Sequence, residues 1–342
     1  MSKILITGCA GYIGSIAADL FLKNGYQVVG IDNFQTGYKR PIEILQERYE
    51  DKFKFYEADL KSDLSPIFKS EAAFDAVVHY AASCVVDESM KNLYKYFNNN
   101  PNSTLNLLET MDKFSVKKIV FSSTCALYGD AKYVPLDEKH PTNPNNVYGE
   151  SKLMAEKIIQ WYSQLKDFDY IIFRYFNVSG ASEDGVFGYS KHPSTHLTEN
   201  AVKASLGIVP FYLTYQKMET SDGSPIRDYV NVLDLNEAHM KAVEYLTKGG
   251  SSQFINLGTG TGNSVLEIVN KVQELTGKKF DVKASDKPRE GEAPKLVASI
   301  DKAKKILGWE PKRTIEDSVK SLLIWYKNHP QGWENVIDIK EK

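Results

Sequence analysis

Three glycines spaced GxxGxxG, in Thr7-Gly8-Cys9-Ala10-Gly11-Tyr12-Ile13-Gly14, stand directly after a short apolar run and at the mouth of a helical one. Ile4-Leu5-Ile6 reads as a buried strand, and Ile13, Ile16, Ala17, Leu20 and Phe21 recur at helical spacing. In such a strand–turn–helix the first glycine permits the tight turn. The second lets a pyrophosphate approach the backbone, and the third lets the helix pack close to the strand. The unpaired amides and positive dipole end of the helix then favour phosphate. Asp32 closes the next apolar run, where a carboxylate accepts hydrogen bonds from an adenosine ribose and repels a 2′-phosphate. The expected cofactor is therefore NAD rather than NADP. Asp59-Leu60, after the third apolar run, is placed to take the adenine edge.

The rest of the first half repeats the rhythm. Apolar runs at 3–7, 27–31, 53–56, 76–79, 118–122 and 170–173 alternate with amphipathic stretches. Near-continuous apolar strands separated by helices predict an α/β fold, a doubly wound parallel sheet covered on both faces. Beyond about residue 177 the segments become irregular, with one further strand at 253–257 and a last helix at 315–327. Ser264 with Glu267 three residues on is a capping-box signature.

Bulk properties narrow the function classes. A formal charge of -2 gives no reason to expect a nucleic acid or an anionic membrane as partner. No run approaches the roughly 18 apolar residues of a membrane span. Met1-Ser2-Lys3 leads into too short an apolar run for a secretory leader, so the cytoplasm is expected. Three cysteines, Cys9, Cys84 and Cys125, do not read as a disulfide framework. His192 and His196 are four apart, but Pro193 disfavours a helix there and no third ligand stands out, so no metal site is expected.

The chemistry concentrates in Tyr148-Gly149-Glu150-Ser151-Lys152. Pro144, Asn145 and Asn146 mark a helix start, and on that helix Tyr148 and Lys152, at i and i+4, share a face. A phenol is a poor base at neutral pH; a nearby ammonium and a cationic nicotinamide both favour the phenolate and are expected to lower its pKa. Thr124, ending the fifth strand, offers a hydroxyl to bridge a substrate oxygen and Tyr148.

With these residues goes a series of stretches in order: Asp32-Asn33, His79-Tyr80-Ala81-Ala82, Asn98-Asn99-Asn100, Phe121-Ser122-Ser123-Thr124, Leu127-Tyr128-Gly129, Arg174-Tyr175-Phe176-Asn177, Arg227-Asp228-Tyr229, Asn256-Leu257-Gly258 and Arg289-Glu290-Gly291. Over essentially its whole length the chain resembles the extended short-chain dehydrogenase/reductases, and within them the UDP-glucose 4-epimerase family. The resemblance implies a Rossmann-type domain at 1–176, with 228–258 returning to it, and a smaller, discontinuous sugar-nucleotide lobe at 177–342. It implies that Gly8, Gly11, Tyr12, Ile13, Gly14, Asp32, Asn33, Asp59, Leu60, Ala81, Asn100, Tyr148, Lys152 and Tyr175 line the NAD site. Thr124, Tyr148 and Lys152 would carry the chemistry, and Asn177, Leu197, Arg227, Tyr229 and Arg289 would hold a UDP-sugar together with Thr124. It also implies a homodimer built through a helical bundle.

The chain departs from the family pattern in places. Cys84 stands where Lys is frequent, His196 where Asn or His occurs, and Thr198-Glu199 where an apolar, proline-containing pair is usual. The stretch 211–220 is unlike the usual uridine loop, Glu292 replaces an Asp, and Leu296 sits near the gate for N-acetyl groups. These changes leave hexose, N-acetylhexosamine, pentose and uronate substrates open. A 4,6-dehydratase of the same fold needs an acid pair after the active-site Thr, where this chain has Cys125-Ala126. The remaining alternative is a binding protein that senses NAD without turning anything over.

Overall fold

The computed structural model describes residues 2–71, 73–289 and 293–333, with the backbone alone at 286–289. Its centre is a seven-stranded sheet. β1 (Lys3–Thr7), β2 (Gln27–Asp32), β3 (Phe53–Glu57), β4 (Ala76–His79), β5 (Lys118–Thr124) and β6 (Asp169–Tyr175) are joined by a seventh strand, Gln253–Leu257. The spatial order is seventh–β6–β5–β4–β1–β2–β3, with every neighbouring pair parallel. This is the predicted doubly wound α/β sheet. Two strands run longer than their apolar cores: β5 extends to Thr124 and β6 to Tyr175, because these two residues still pair with each other.

Successive side chains of a strand point to opposite faces, and both faces are covered. Ile4 and Ile6 of β1 join one buried cluster with Ile16, Ala17 and Phe21 from the helix Tyr12–Lys23 and Leu235 and Ala242 from the helix Val232–Thr247. Leu5 joins the other, with Leu107, Leu108 and Met111 from the helix Leu93–Lys113 and Ala155 and Ile159 from the helix Val147–Lys166. Burial on both sides explains why the strands read as continuous apolar runs rather than alternating ones.

The remaining elements form short pairings beside the carboxyl ends of the sheet. Phe211–Tyr215 runs parallel to Val282–Arg289, and Ile226–Arg227 pairs with both Asn263–Ser264 and Lys295–Leu296. The helix Val265–Thr276 starts with the expected capping box: Ser264 Oγ accepts from Glu267 N at 3.0 Å, and Ser264 N donates to Glu267 Oε2 at 2.7 Å. The last helix among the described residues, Ile315–Asn328, packs against Asn231, Gly180 and Ala181.

Candidate active site

Chain order in the sheet reverses between β1 and β4, and a crevice opens outside the strand ends at such a point. Here it is a cleft of about 2290 Å³, its open mouth included. It is lined by residues after β1, β2, β3, β4, β5 and β6 and by residues between 188 and 199.

The glycine turn is built as its spacing predicts. Gly8 has φ +72°, in the left-handed region, and a Cβ there would lie 2.7 Å from Ala81 N. A Cβ on Gly14 would lie 2.1 Å from the Gly8 carbonyl oxygen, so only glycine lets the helix start this close to the turn. Gly11 precedes the helix without any side-chain cap, which leaves its first amides available to a ligand. Gly8, Gly11, Tyr12, Ile13 and Gly14 all line the cleft.

At the end of β2, Asp32 accepts from Ala10 N at 3.0 Å and Phe34 N at 2.8 Å. Burial raises its pKa, and these amides oppose the rise. Asn33 Nδ2 donates to Asp59 Oδ2 at 3.1 Å, which links the two acids into one rim. Asn33, Asp59, Leu60 and Ala81 stand on the cleft wall with Asp32. Asn100 does not. It is buried, accepting from Ser83 N at 2.8 Å and donating to Ser83 O at 3.0 Å and Ser151 Oγ at 2.9 Å. In the protein alone its side chain ties the loop after β4 to the helix carrying Tyr148 and stands behind the cleft wall.

That helix, Val147–Lys166, is capped by Asn146, which accepts from Gly149 N at 2.8 Å. Tyr148, Lys152, Thr124 and Tyr175 meet at the cleft floor. The Lys152 ammonium lies 4.5 Å from the Phe121 ring centroid, and burial brings its pKa down to about 8 against the pull of Cys84 and Glu156. In the protein alone burial pushes the Tyr148 phenol well above its ordinary value, with the neighbouring Thr124 hydroxyl acting the other way. The lowering expected from Lys152 is not among the influences on this phenol in the protein alone, where desolvation dominates. Behind the floor, Arg174 and Glu156 form a buried bidentate pair, with Nε–Oε1 3.1 Å and Nη2–Oε2 2.7 Å, and Ser123 Oγ donates to the same carboxylate.

On the opposite side, Asn177, Leu197 and Tyr229 face the cleft. Arg227 is not on its wall in the protein alone; its Nη1 donates to Ala293 O at 2.8 Å and Ile226 O at 3.0 Å. Arg289 lies outside the residues whose side chains are described, and Glu290, Gly291 and Glu292 outside the described residues altogether. Leu296 packs beside the Leu127 and Ala298 cluster rather than on the wall. Sequence reasoning did not assign Tyr189, Lys191 and Trp333 to the site and named His196 and Glu199 only as departures from the family pattern, yet all five line the cleft. No local motif announces them; Tyr189 arrives because Tyr12 meets it edge-on at 5.4 Å while the Tyr12 hydroxyl binds Gly180 O at 2.5 Å.

Comparison with known proteins agrees with this geometry. A family model described as GDP-mannose 4,6 dehydratase matches residues 5–322. UDP-glucose 4-epimerase of Lacticaseibacillus casei is 40% identical over 335 residues, 96% of this chain and 98% of the relative. The chain belongs to the UDP-glucose 4-epimerase family. The crystal structure of a family member from Bifidobacterium longum, in complex with NAD+ and UDP, superposes with a TM-score of 0.91 at 32% identity, covering 97% of this chain and all of that one. The UDP-Glc/GlcNAc 4-epimerase of Campylobacter jejuni superposes at 0.82 with 37% identity, covering 96% of this chain and 100% of that one. The dehydratase in the family model's description does not extend to the residues after Thr124. Cys125 is half-buried, with its thiol pushed up to about 12 by desolvation, and Ala126 has no acid.

Proposed function

We propose that this chain is an NAD-dependent epimerase that inverts C4 of a UDP-hexose through a 4-keto sugar. The observation that carries the proposal is the meeting of Tyr148, Thr124 and Lys152 on the floor of a cleft whose far end is the glycine turn. The residues present fit the cofactor: the cradle at Gly8 and Gly14 excludes any Cβ, the helix amides beyond Gly11 are uncapped, and Asp32 offers a ribose acceptor. Bound there, NAD supplies a reversible hydride acceptor and a positive ring charge.

Tyr148 Oη takes the proton of the sugar C4 hydroxyl and later returns it. Burial keeps this phenol protonated in the free protein, so it becomes a base only when cationic neighbours surround it. Lys152 contributes one such charge, and Thr124 orients the hydroxyl. Asn177, Leu197 and Tyr229 hold the nucleotide half, with Lys191 the other lysine on the described wall. Inversion needs the nucleotide gripped while the sugar turns over.

Residues 1–176 and 228–258 form the cofactor domain in this reading, and the rest of 177–342 the sugar-nucleotide lobe; the seventh strand pairing with β6 supports it. A homodimer is supported by Leu105, Met154, Trp161 and Leu165, exposed on the paired helices Leu93–Lys113 and Val147–Lys166. A cytoplasmic setting accords with cysteines that are all free. Among the described residues no helix is long and apolar enough to cross a membrane.

The test is a panel of UDP-glucose, UDP-galactose, their N-acetyl forms, and pentose and uronate analogues, read by NMR of the C4 proton. Interconversion of a UDP-hexose pair is expected. Loss of water from the sugar, or no reaction with any hexose, refutes the proposal.

A further inference from the structure

The helix Leu197–Ser205 begins on the cleft wall, with His196 at its N-cap and Glu199 in its first turn. The Glu199 side chain is fully buried, and neither carboxylate oxygen has a hydrogen-bond partner; nor has the buried Nδ1 of His196. A carboxylate left without donors in the interior costs several kcal/mol. These unsatisfied atoms are neighbours, with Nδ1 3.5 Å from Oε1. A small rotation of the ring turns that approach into a hydrogen bond.

Two nearby hydroxyls are committed elsewhere, and the Lys203 ammonium feels the carboxylate only through space. The Tyr12 hydroxyl, from the first helix, donates to Gly180 O at 2.5 Å. The Tyr326 hydroxyl, from the last helix, donates to Tyr189 O at 3.0 Å, and the Lys203 ammonium, one turn along, lies 4.8 Å from the Tyr326 ring centroid. The His196 ring is held by Tyr189, whose centroid is 4.4 Å away at 31°, and by the edge of Tyr12 at 6.3 Å. One third of the imidazole remains exposed, and it lines the cleft.

We infer that Glu199 is a positioning residue: it accepts a hydrogen bond from Nδ1–H of His196 and so presents Nε2 to the cleft as a hydrogen-bond acceptor for a ligand hydroxyl. With the proton on Nδ1, the other ring nitrogen carries a lone pair, which accepts from a hydroxyl and disfavours a phosphate oxygen. The dipole at the start of the helix stabilises the carboxylate that sets this tautomer. The hydroxyl belongs to the ribose or to the hexose of the sugar nucleotide, an assignment that rests on the function proposed above.

The experiment uses the full chain labelled with 15N-histidine, with Glu199→Leu, Glu199→Gln and His196→Asn. Glu199→Leu also removes a charge that supports the buried Lys203 ammonium, so Tm is measured for every variant to establish that it is folded. In the wild type the His196 resonances should report the Nδ1–H tautomer; Glu199→Gln keeps it through its amide oxygen, and Glu199→Leu loses it. By calorimetry Glu199→Leu should weaken UDP-glucose binding about 2- to 10-fold, the range of one neutral hydrogen bond, and Glu199→Gln less than 2-fold. Weakening for UDP-glucose alone assigns the hydroxyl to the hexose; equal weakening for UDP assigns it to the ribose. In the His196→Asn background Glu199→Leu should have no further effect. An unchanged tautomer in Glu199→Leu, or an undiminished effect in that background, overturns the inference. Failure of the wild type to bind UDP-glucose would sink the functional reading, while the tautomer result would still decide the role of Glu199.

Discussion

Lys152 sits where a charge is expensive, and replacing it with methionine should make the ligand-free protein more stable while disabling it. Its side chain is 3% exposed, over the Phe121 ring, and its pKa falls from the ordinary 10.5 to about 8. At about 1.4 kcal/mol for each tenfold change, that displacement means the charged form costs the folded state about 3 kcal/mol. An unfolded chain keeps this proton up to pH 10.5, whereas the folded one releases it near pH 8. Between those values the unfolded state binds more protons, so the lysine's contribution to stability improves as pH rises through the window and is at its worst below it. Lys152→Met, close in volume and uncharged, should therefore gain about 2–3 kcal/mol over the wild type at pH 7, and the gap should shrink toward zero by pH 10. Urea denaturation of nucleotide-free protein at the two pH values measures it, and comparing variant with wild type cancels the other titrating groups. Turnover should collapse in the same variant, since Tyr148 loses its neighbouring cation, a trade of stability against activity. A variant less stable than wild type at pH 7, or a gap that does not change with pH, would refute the reasoning.

Three further outcomes follow from the geometry. Tyr148→Phe keeps the ring but removes the proton acceptor, so kcat should drop by about 10²–10⁴ with UDP-sugar affinity nearly intact; wild-type turnover would mean the base is misassigned. Gly14→Ala puts a Cβ 2.1 Å from the Gly8 carbonyl oxygen, and the turn must open to admit it. The purified variant should carry far less NAD than the wild type, measured by absorbance after denaturation; full occupancy would show that the turn can yield. Glu156→Gln leaves the buried Arg174 guanidinium without its carboxylate. Chemical denaturation should register a loss of about 3–5 kcal/mol, and a loss under about 1 kcal/mol would mean that the pair is dispensable.

Several features of the site were legible because they obey local rules. The glycine turn, the acid at the end of β2, the Asn146 cap and the shared face of Tyr148 and Lys152 each depend on backbone geometry within a few residues. Asn100 shows the limit. Its type and position point to a polar contact, but the partner is decided by the loop holding Ser83 and by Ser151, 51 residues further on. The helix Leu93–Lys113 likewise runs through Pro101 and three consecutive asparagines, a poor helical sequence held by burial of Tyr96, Leu107, Leu108 and Met111. Arg227 belongs with Asn100 in one respect: its residue type suits a diphosphate, but that its Nη1 donates to the backbone of Ile226 and Ala293 is set by tertiary structure.

Periodicity and turn chemistry in the chain were enough to determine the parallel sheet, its phosphate-binding turn and the identity of the phenol and ammonium at its edge. Tertiary structure alone decided which groups face that phenol across the cleft and what their surroundings do to them. Tyr12 reaches Gly180 over 168 residues of chain, and Tyr189, His196 and Glu199 come to the wall only because that distant segment folds back. Desolvation is set by everything packed around a group, so the upward push on Tyr148 and the downward one on Lys152 follow from the assembled core and not from the four-residue spacing that brought them together.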